Sequence, residues 1–261
     1  MAELTPPYIP QTIRTHIQDG TIRPRTLYWM LPARSLFCLL AQAVFALAFW
    51  ARGSLNPWSA SVPYWNVFGT LADIGCLFLL YHFLKKEGFR IVDLLRVPHF
   101  PVWRDVLIGF GLFLLIFPIV VMGGTILANF VVYGTLQPDL GEGVLVARQL
   151  PLWATLYSLF IWWLIWSVTE STYYNGYLFP RLEVVKGRTW IVILIVGFFW
   201  SLQHVFFPFI PDVKYIVWRF LQFLGIGLLM PWLFSRFRRL RPLIITHWLM
   251  DFAGVLLTIQ F

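Results

Sequence analysis

Charge is scarce in this sequence. Only 12% of its 261 residues are Asp, Glu, Lys or Arg, against 59% hydrophobic residues. With a mean hydropathy of +0.73, such a chain has too little polar surface for a water-soluble globule and reads as lipid-dissolved. Acidic residues are the scarcer sign, and the formal net charge is +8. In a soluble protein that excess would suggest nucleic acid. Here the basic residues sit in short clusters between apolar runs, where they orient a chain in a bilayer, so no nucleic-acid partner is expected. Cysteine is nearly missing as well. Cys38 and Cys76 both lie in apolar runs and lack the paired spacing of a metal or redox motif, so both are expected to be packing residues. Residues 1–34 are polar, proline-punctuated and basic, without the apolar core and cleavage site of a signal peptide, so the N-terminus is expected to be retained. No internal repeat or low-complexity tract interrupts the chain.

What the chain has instead is long apolar runs, at about 35–51, 64–84, 106–133, 151–179, 190–209, 215–234 and 243–261, each long enough to span a bilayer as a helix. The fold class expected is all-α: a polytopic membrane helix bundle of about seven transmembrane helices (six to eight). A cytoplasmic N-terminal segment, 1–34, would precede a single transmembrane domain, 35–261. Sixteen of the twenty Lys and Arg residues fall in the N-terminal segment and the second, fourth and sixth connections. The opposite side holds Arg52, Arg148 and Lys214, with Arg219 just inside the sixth span. This bias places the N-terminus in the cytoplasm and Phe261 outside. Residues 85–105 alternate basic and apolar residues and read either as an interfacial amphipathic element or as a solvated loop.

Ionisable residues within spans are costly unless they find a partner or line a wet cavity. Asp73, Glu170, His204, His247, Asp251 and the borderline Arg219 stand out. Glu170 opens the stretch ESTYYNGY near mid-membrane, eleven residues before Arg181. His204 lies four residues after Trp200, and Asp251 four after His247, so each pair shares a helical face. One Glu, two His and one Asp thus come from three helices, the way a bundle assembles an interior site. Asp73 and Arg219 read more simply as a structural ion pair or a snorkelling arginine.

These residues resemble the motifs of the CAAX protease and bacteriocin-processing (CPBP) family of intramembrane proteases. The family's Glu-Glu-x-x-x-Arg-Gly-aromatic motif is similar to 170–177, with Glu170, Gly176 and Tyr177 in place. Its Phe-x-x-x-His motif is met by Trp200 to His204, and its His-x-x-x-Asn/Asp motif by His247 to Asp251. The resemblance covers about 151–261, the CPBP-like catalytic core. Two positions depart from it: Ser171 stands where the family has its second Glu, and Asn175 where it has Arg. Because both partners of a helical ion pair are replaced, no charge is stranded.

The resemblance implies hydrolysis of a peptide bond in a hydrophobic or membrane-tethered substrate. Glu170 would take a proton from water and His204 would hold that water. His247, oriented by Asp251, would donate to the oxyanion. No cofactor is expected. The competing chemistry is zinc held by Glu170, His204 and His247, although no His-Glu-x-x-His helix is present. A noncatalytic scaffold or immunity-type relative is the alternative from another class. A proton-coupled transporter lacks the expected inverted repeats. The protein is expected in the cell membrane, among lipid. Counting from Arg188 and Arg241 along straight helices leaves the two histidines about 15 Å apart in depth, so this site requires tilt or a loop that rises into the protein.

Overall fold

The computed structural model describes residues 6–96, 100–137 and 150–258. Arg148 and Phe261, used above to orient the chain, lie outside the described residues. Eight helices carry the fold: α1 Pro10–Gln18, α2 Pro24–Ala51, α3 Pro57–Lys86, α4 Val102–Tyr133, α5 Leu152–Lys186, α6 Thr189–Gln203, α7 Val213–Phe237 and α8 Arg241–Thr258. The class is all-α, and the protein is an integral membrane helix bundle. Helices α2, α3, α4, α5 and α7 are each long and apolar enough to cross a membrane, while α6 is a shorter apolar helix. Each of the seven apolar runs thus contains a helix, though among the described residues only five are both long and apolar enough for an independent span.

Helix boundaries follow local chemistry. Proline opens α1, α2 and α3, where its missing N–H costs nothing and its fixed φ is already helical. The Asp212 carboxylate caps α7 by accepting from the Tyr215 N–H at 2.7 Å. Two boundaries differ from the sequence reading. Helix α2 begins at Pro24, well before the apolar run at 35, because Arg34 is not a surface residue but is fully buried. Helix α6 ends at Gln203 although the apolar run continues to 209. The following residues form a tight turn whose main chain bonds to other helices: Gln42 and Trp58 hold Phe209, and Tyr215 holds Pro208.

The segment at 85–105 is tied to the bundle by its acids. Glu87 forms a buried ion pair with Arg181, and Asp105 pairs with Arg239 at 2.9 Å and Arg241 at 2.8 Å. The Tyr8 hydroxyl donates to the Leu94 carbonyl. The described part of this segment is therefore a docked element, and residues 97–99 lie outside the description.

Three π-helical segments interrupt the α-helices: Phe117–Met122 in α4, and Ser158–Trp162 and Thr172–Leu178 in α5. The third begins two residues after Glu170. Such wide turns recur at functional sites, because they redirect side chains without ending the helix. Here the Tyr173 hydroxyl donates to the Met30 carbonyl at 2.7 Å. That bond docks α5 on α2 next to Arg34.

Candidate active site

Glu170 is completely buried in α5, between α2 and α8. Its Oε2 lies 3.6 Å from Nη2 of Arg34, and its Oε1 lies 3.8 Å from Nε2 of His247. Among the described residues neither oxygen has a hydrogen-bond partner. Arg34 is itself held on three sides. Its Nη2 lies 2.8 Å from Asp73, its Nε donates to the Gln203 side chain at 2.6 Å, and its guanidinium lies 4.1 Å from the centre of the Trp166 ring.

Both nitrogens of His247 face polar atoms. Asp251 Oδ2 is 3.5 Å from Nε2, the same nitrogen that faces Glu170, and it accepts from the Ser167 hydroxyl at 2.6 Å. The Ser171 hydroxyl is 3.4 Å from Nδ1. With carboxylates on one side and a hydroxyl on the other, the favoured neutral form carries its proton on Nε2. The orienting contact on the far ring nitrogen therefore comes from Ser171, while Asp251 shares the Nε2 side with Glu170.

His204 follows the last residue of α6. Its Nδ1 lies 2.9 Å from the Trp200 carbonyl. A carbonyl can only accept, so Nδ1 carries the proton and Nε2 is left as the acceptor. The ring stacks on Phe223 with centroids 3.8 Å apart. Both histidines touch Trp200, at ring-centroid distances of 4.9 and 5.7 Å. The depth gap expected from counting residues is thus closed. At one end of that ruler, Arg241 is half-buried and paired with Asp105 at 2.8 Å.

A cavity of about 640 Å³ opens onto this cluster. His204, His247 and Asp251 line it together with Trp200, Phe223, Arg219 and other aromatic and aliphatic residues. Glu170 is not among the lining residues and lies 3.8 Å from Nε2 of His247, which is one of them. Of the sequence-identified residues, the fold gathers Glu170, His247 and Asp251 around one imidazole and brings His204 to the same cavity. Among the described residues, no three His, Cys, Asp or Glu side chains form a group that could hold a metal ion.

Sequence reasoning missed Arg34, counted among the N-terminal basic residues, and gave Ser171 no role beyond replacing the family's second Glu. Asp73 does form a structural ion pair, but with Arg34 and beside Glu170. Arg219 does not snorkel; it is buried. Asn175 is buried too, and its side-chain amide has no hydrogen-bond partner among the described residues.

Fold and site together define a polytopic helical membrane protein with a buried carboxylate-histidine cluster beside an apolar cavity. Residues 151–253 match the family model described as Rce1-like, type II CAAX prenyl endopeptidase Rce1-like, which contains the cluster residues of α5, α6 and α8. This stretch is similar to that family, in agreement with the CPBP resemblance of its motifs. No curated protein and no solved structure matches the chain.

Proposed function

We propose that the protein is an intramembrane endopeptidase that cuts a hydrophobic or membrane-tethered peptide using Glu170, His204, His247 and Asp251. The observation that carries this reading is the fully buried Glu170, 3.8 Å from the imidazole of His247, which lines the cavity. Glu170 takes a proton from water, whose oxygen attacks the peptide carbonyl. His204 Nε2, unprotonated because Nδ1 is committed to Trp200, receives the proton and returns it to the leaving nitrogen as the C–N bond breaks. His247 donates its Nε2 proton to the developing oxyanion. Ser171 keeps that proton on Nε2, and Asp251 holds the ring from the cavity side. The basic ends of the helices face the cytoplasm, and the membrane is the cell membrane.

The test is cleavage of hydrophobic peptides by detergent-purified protein, with Glu170→Gln and His204→Ala compared to wild type in the presence and absence of a chelator. The expected result is a loss of about 10²- to 10⁴-fold in kcat for each variant, with no effect of chelation. Loss of activity on chelation would replace this mechanism with a metal-dependent one. A second reading, a noncatalytic relative, draws on Ser171 and the unpartnered Asn175. A folded wild-type protein that cuts none of the peptides would favour it.

A further inference from the structure

A second cavity, of about 410 Å³, opens where the α1–α2 connection and the first turn of α2 meet the last turn of α3 and Tyr177 of α5. Two of its lining residues are cations, Arg23 and Lys86, and no described Asp or Glu lines it. Both cations are exposed. Neither has a carboxylate partner among the described residues, and the Lys86 ammonium lies 5.9 Å from the centre of the Phe83 ring. Thr21 and Thr26 add hydroxyl groups to the wall. The two acids next to the cavity in sequence are committed elsewhere. Asp19 accepts from the Thr21 N–H at 2.9 Å, and Glu87 accepts from the Tyr177 hydroxyl at 2.7 Å while pairing with Arg181. The cavity is thus a concave site of positive charge with hydroxyl donors, a setting that concentrates anions.

The surroundings point to the source of the anion. Tyr28, Trp29 and Tyr81, on the same turns of α2 and α3, are exposed. The Lys186 ammonium lies 4.9 Å from the centre of the Tyr28 ring, and Lys85 donates to the Tyr81 hydroxyl at 3.3 Å. Exposed aromatic rings mixed with cations at the ends of apolar helices mark the depth of lipid headgroups. At that depth an arginine fork, a lysine point charge and hydroxyl donors together suit a phosphate. We infer that this cavity binds the phosphate of an anionic membrane lipid. Tyr177 forms part of its wall and lies in the π-helical segment Thr172–Leu178, so the headgroup rests against the helix that carries Glu170. The blander account, a solvated basic face with its charge spread evenly, predicts that any two cations of this region contribute alike.

The experiment titrates full-length protein in an uncharged detergent with phosphatidylglycerol carrying a fluorescent acyl chain. Unlabelled phosphatidylglycerol, phosphatidylcholine of the same chains, glycerol 3-phosphate and inorganic phosphate serve as competitors. Arg23→Gln with Lys86→Gln is expected to weaken phosphatidylglycerol binding about tenfold or more. Arg25→Gln with Lys85→Gln removes the same charge from exposed neighbours that do not line the cavity, and should bind as wild type does. Arg23→Lys with Lys86→Arg keeps both charges and should retain most of the affinity, which separates lost recognition from a lost fold. Phosphatidylcholine, whose choline cation neutralises its phosphate, should compete poorly, and the two soluble phosphates should not compete at millimolar concentration. Equal losses in the two Gln pairs, equal competition by the two lipids, or no binding of phosphatidylglycerol would overturn the inference. Displacement by inorganic phosphate would overturn its lipid source and assign the cavity to a soluble phosphate. Because binding is measured without turnover, these outcomes stand apart from those that test the peptidase.

Discussion

Arg34 stands between two buried carboxylates, 2.8 Å from Asp73 and 3.6 Å from Glu170. Removing it would leave both acids unpaired in a low-dielectric interior, which costs about 3–5 kcal/mol for a broken buried pair. Arg34→Met is therefore expected to lower unfolding stability by about that amount, read by denaturation in detergent. Arg34→Met with Asp73→Leu should be less destabilising than Arg34→Met alone, because only Glu170 is then left without its counter-charge. Glu170, His204, His247 and Asp251 were legible in the sequence because ionisable groups inside apolar runs are conspicuous. Arg34 was not, since it stands at the edge of a run among surface arginines and its partners come from α3 and α5. Ser171 was not legible because its partner is distant in sequence: it faces Nδ1 of His247 while Glu170 faces Nε2 of the same ring.

At the scale of elements, the placement of His204 depends on how closely α6 approaches α7. A Cβ at Gly197 would lie 2.8 Å from the Gly227 carbonyl oxygen and 3.0 Å from the Leu228 Cα. These are backbone atoms and cannot rotate away. Gly197→Val is expected to force the helices apart and lower stability by about 1–3 kcal/mol. Peptide cleavage should fall with it, because His204 follows the end of α6. A thermal melt and an activity assay on the same preparation would check both effects. The apolar runs were readable as helices because backbone groups in lipid must bond within their own segment. The early stop of α6 was not readable: the turn at 204–212 is satisfied by Gln42, Trp58, Tyr215 and Arg219, and such partners have no local signature.

For the whole molecule, the topological bias can be recounted against the fold. Arg34, Arg181 and Arg239 are buried with acidic partners and are not free interfacial charges. Setting them aside leaves thirteen of the sixteen basic residues on the side assigned to the cytoplasm, so the direction of the bias is unchanged. An impermeant maleimide applied to intact cells should label Arg52→Cys, whereas Lys186→Cys should react only after lysis. Both native cysteines are fully buried and should give little background. Reversed labelling would invert the orientation. The C-terminal part of the bundle carried motifs that could be named from sequence, whereas the N-terminal part read only as spans, yet it supplies Arg34 and Asp73 to the core of the site.

The cavity wall also has an optical consequence. Five tryptophans line it, Trp65, Trp162, Trp166, Trp200 and Trp218, and Trp166 stacks on Phe207 with centroids 4.1 Å apart. Indole emission depends on local polarity, so a peptide entering the cavity would alter the surroundings of several of the chain's own fluorophores at once. Occupancy of the site would then be readable in unlabelled protein from the colour and intensity of its emission, before any bond is cut.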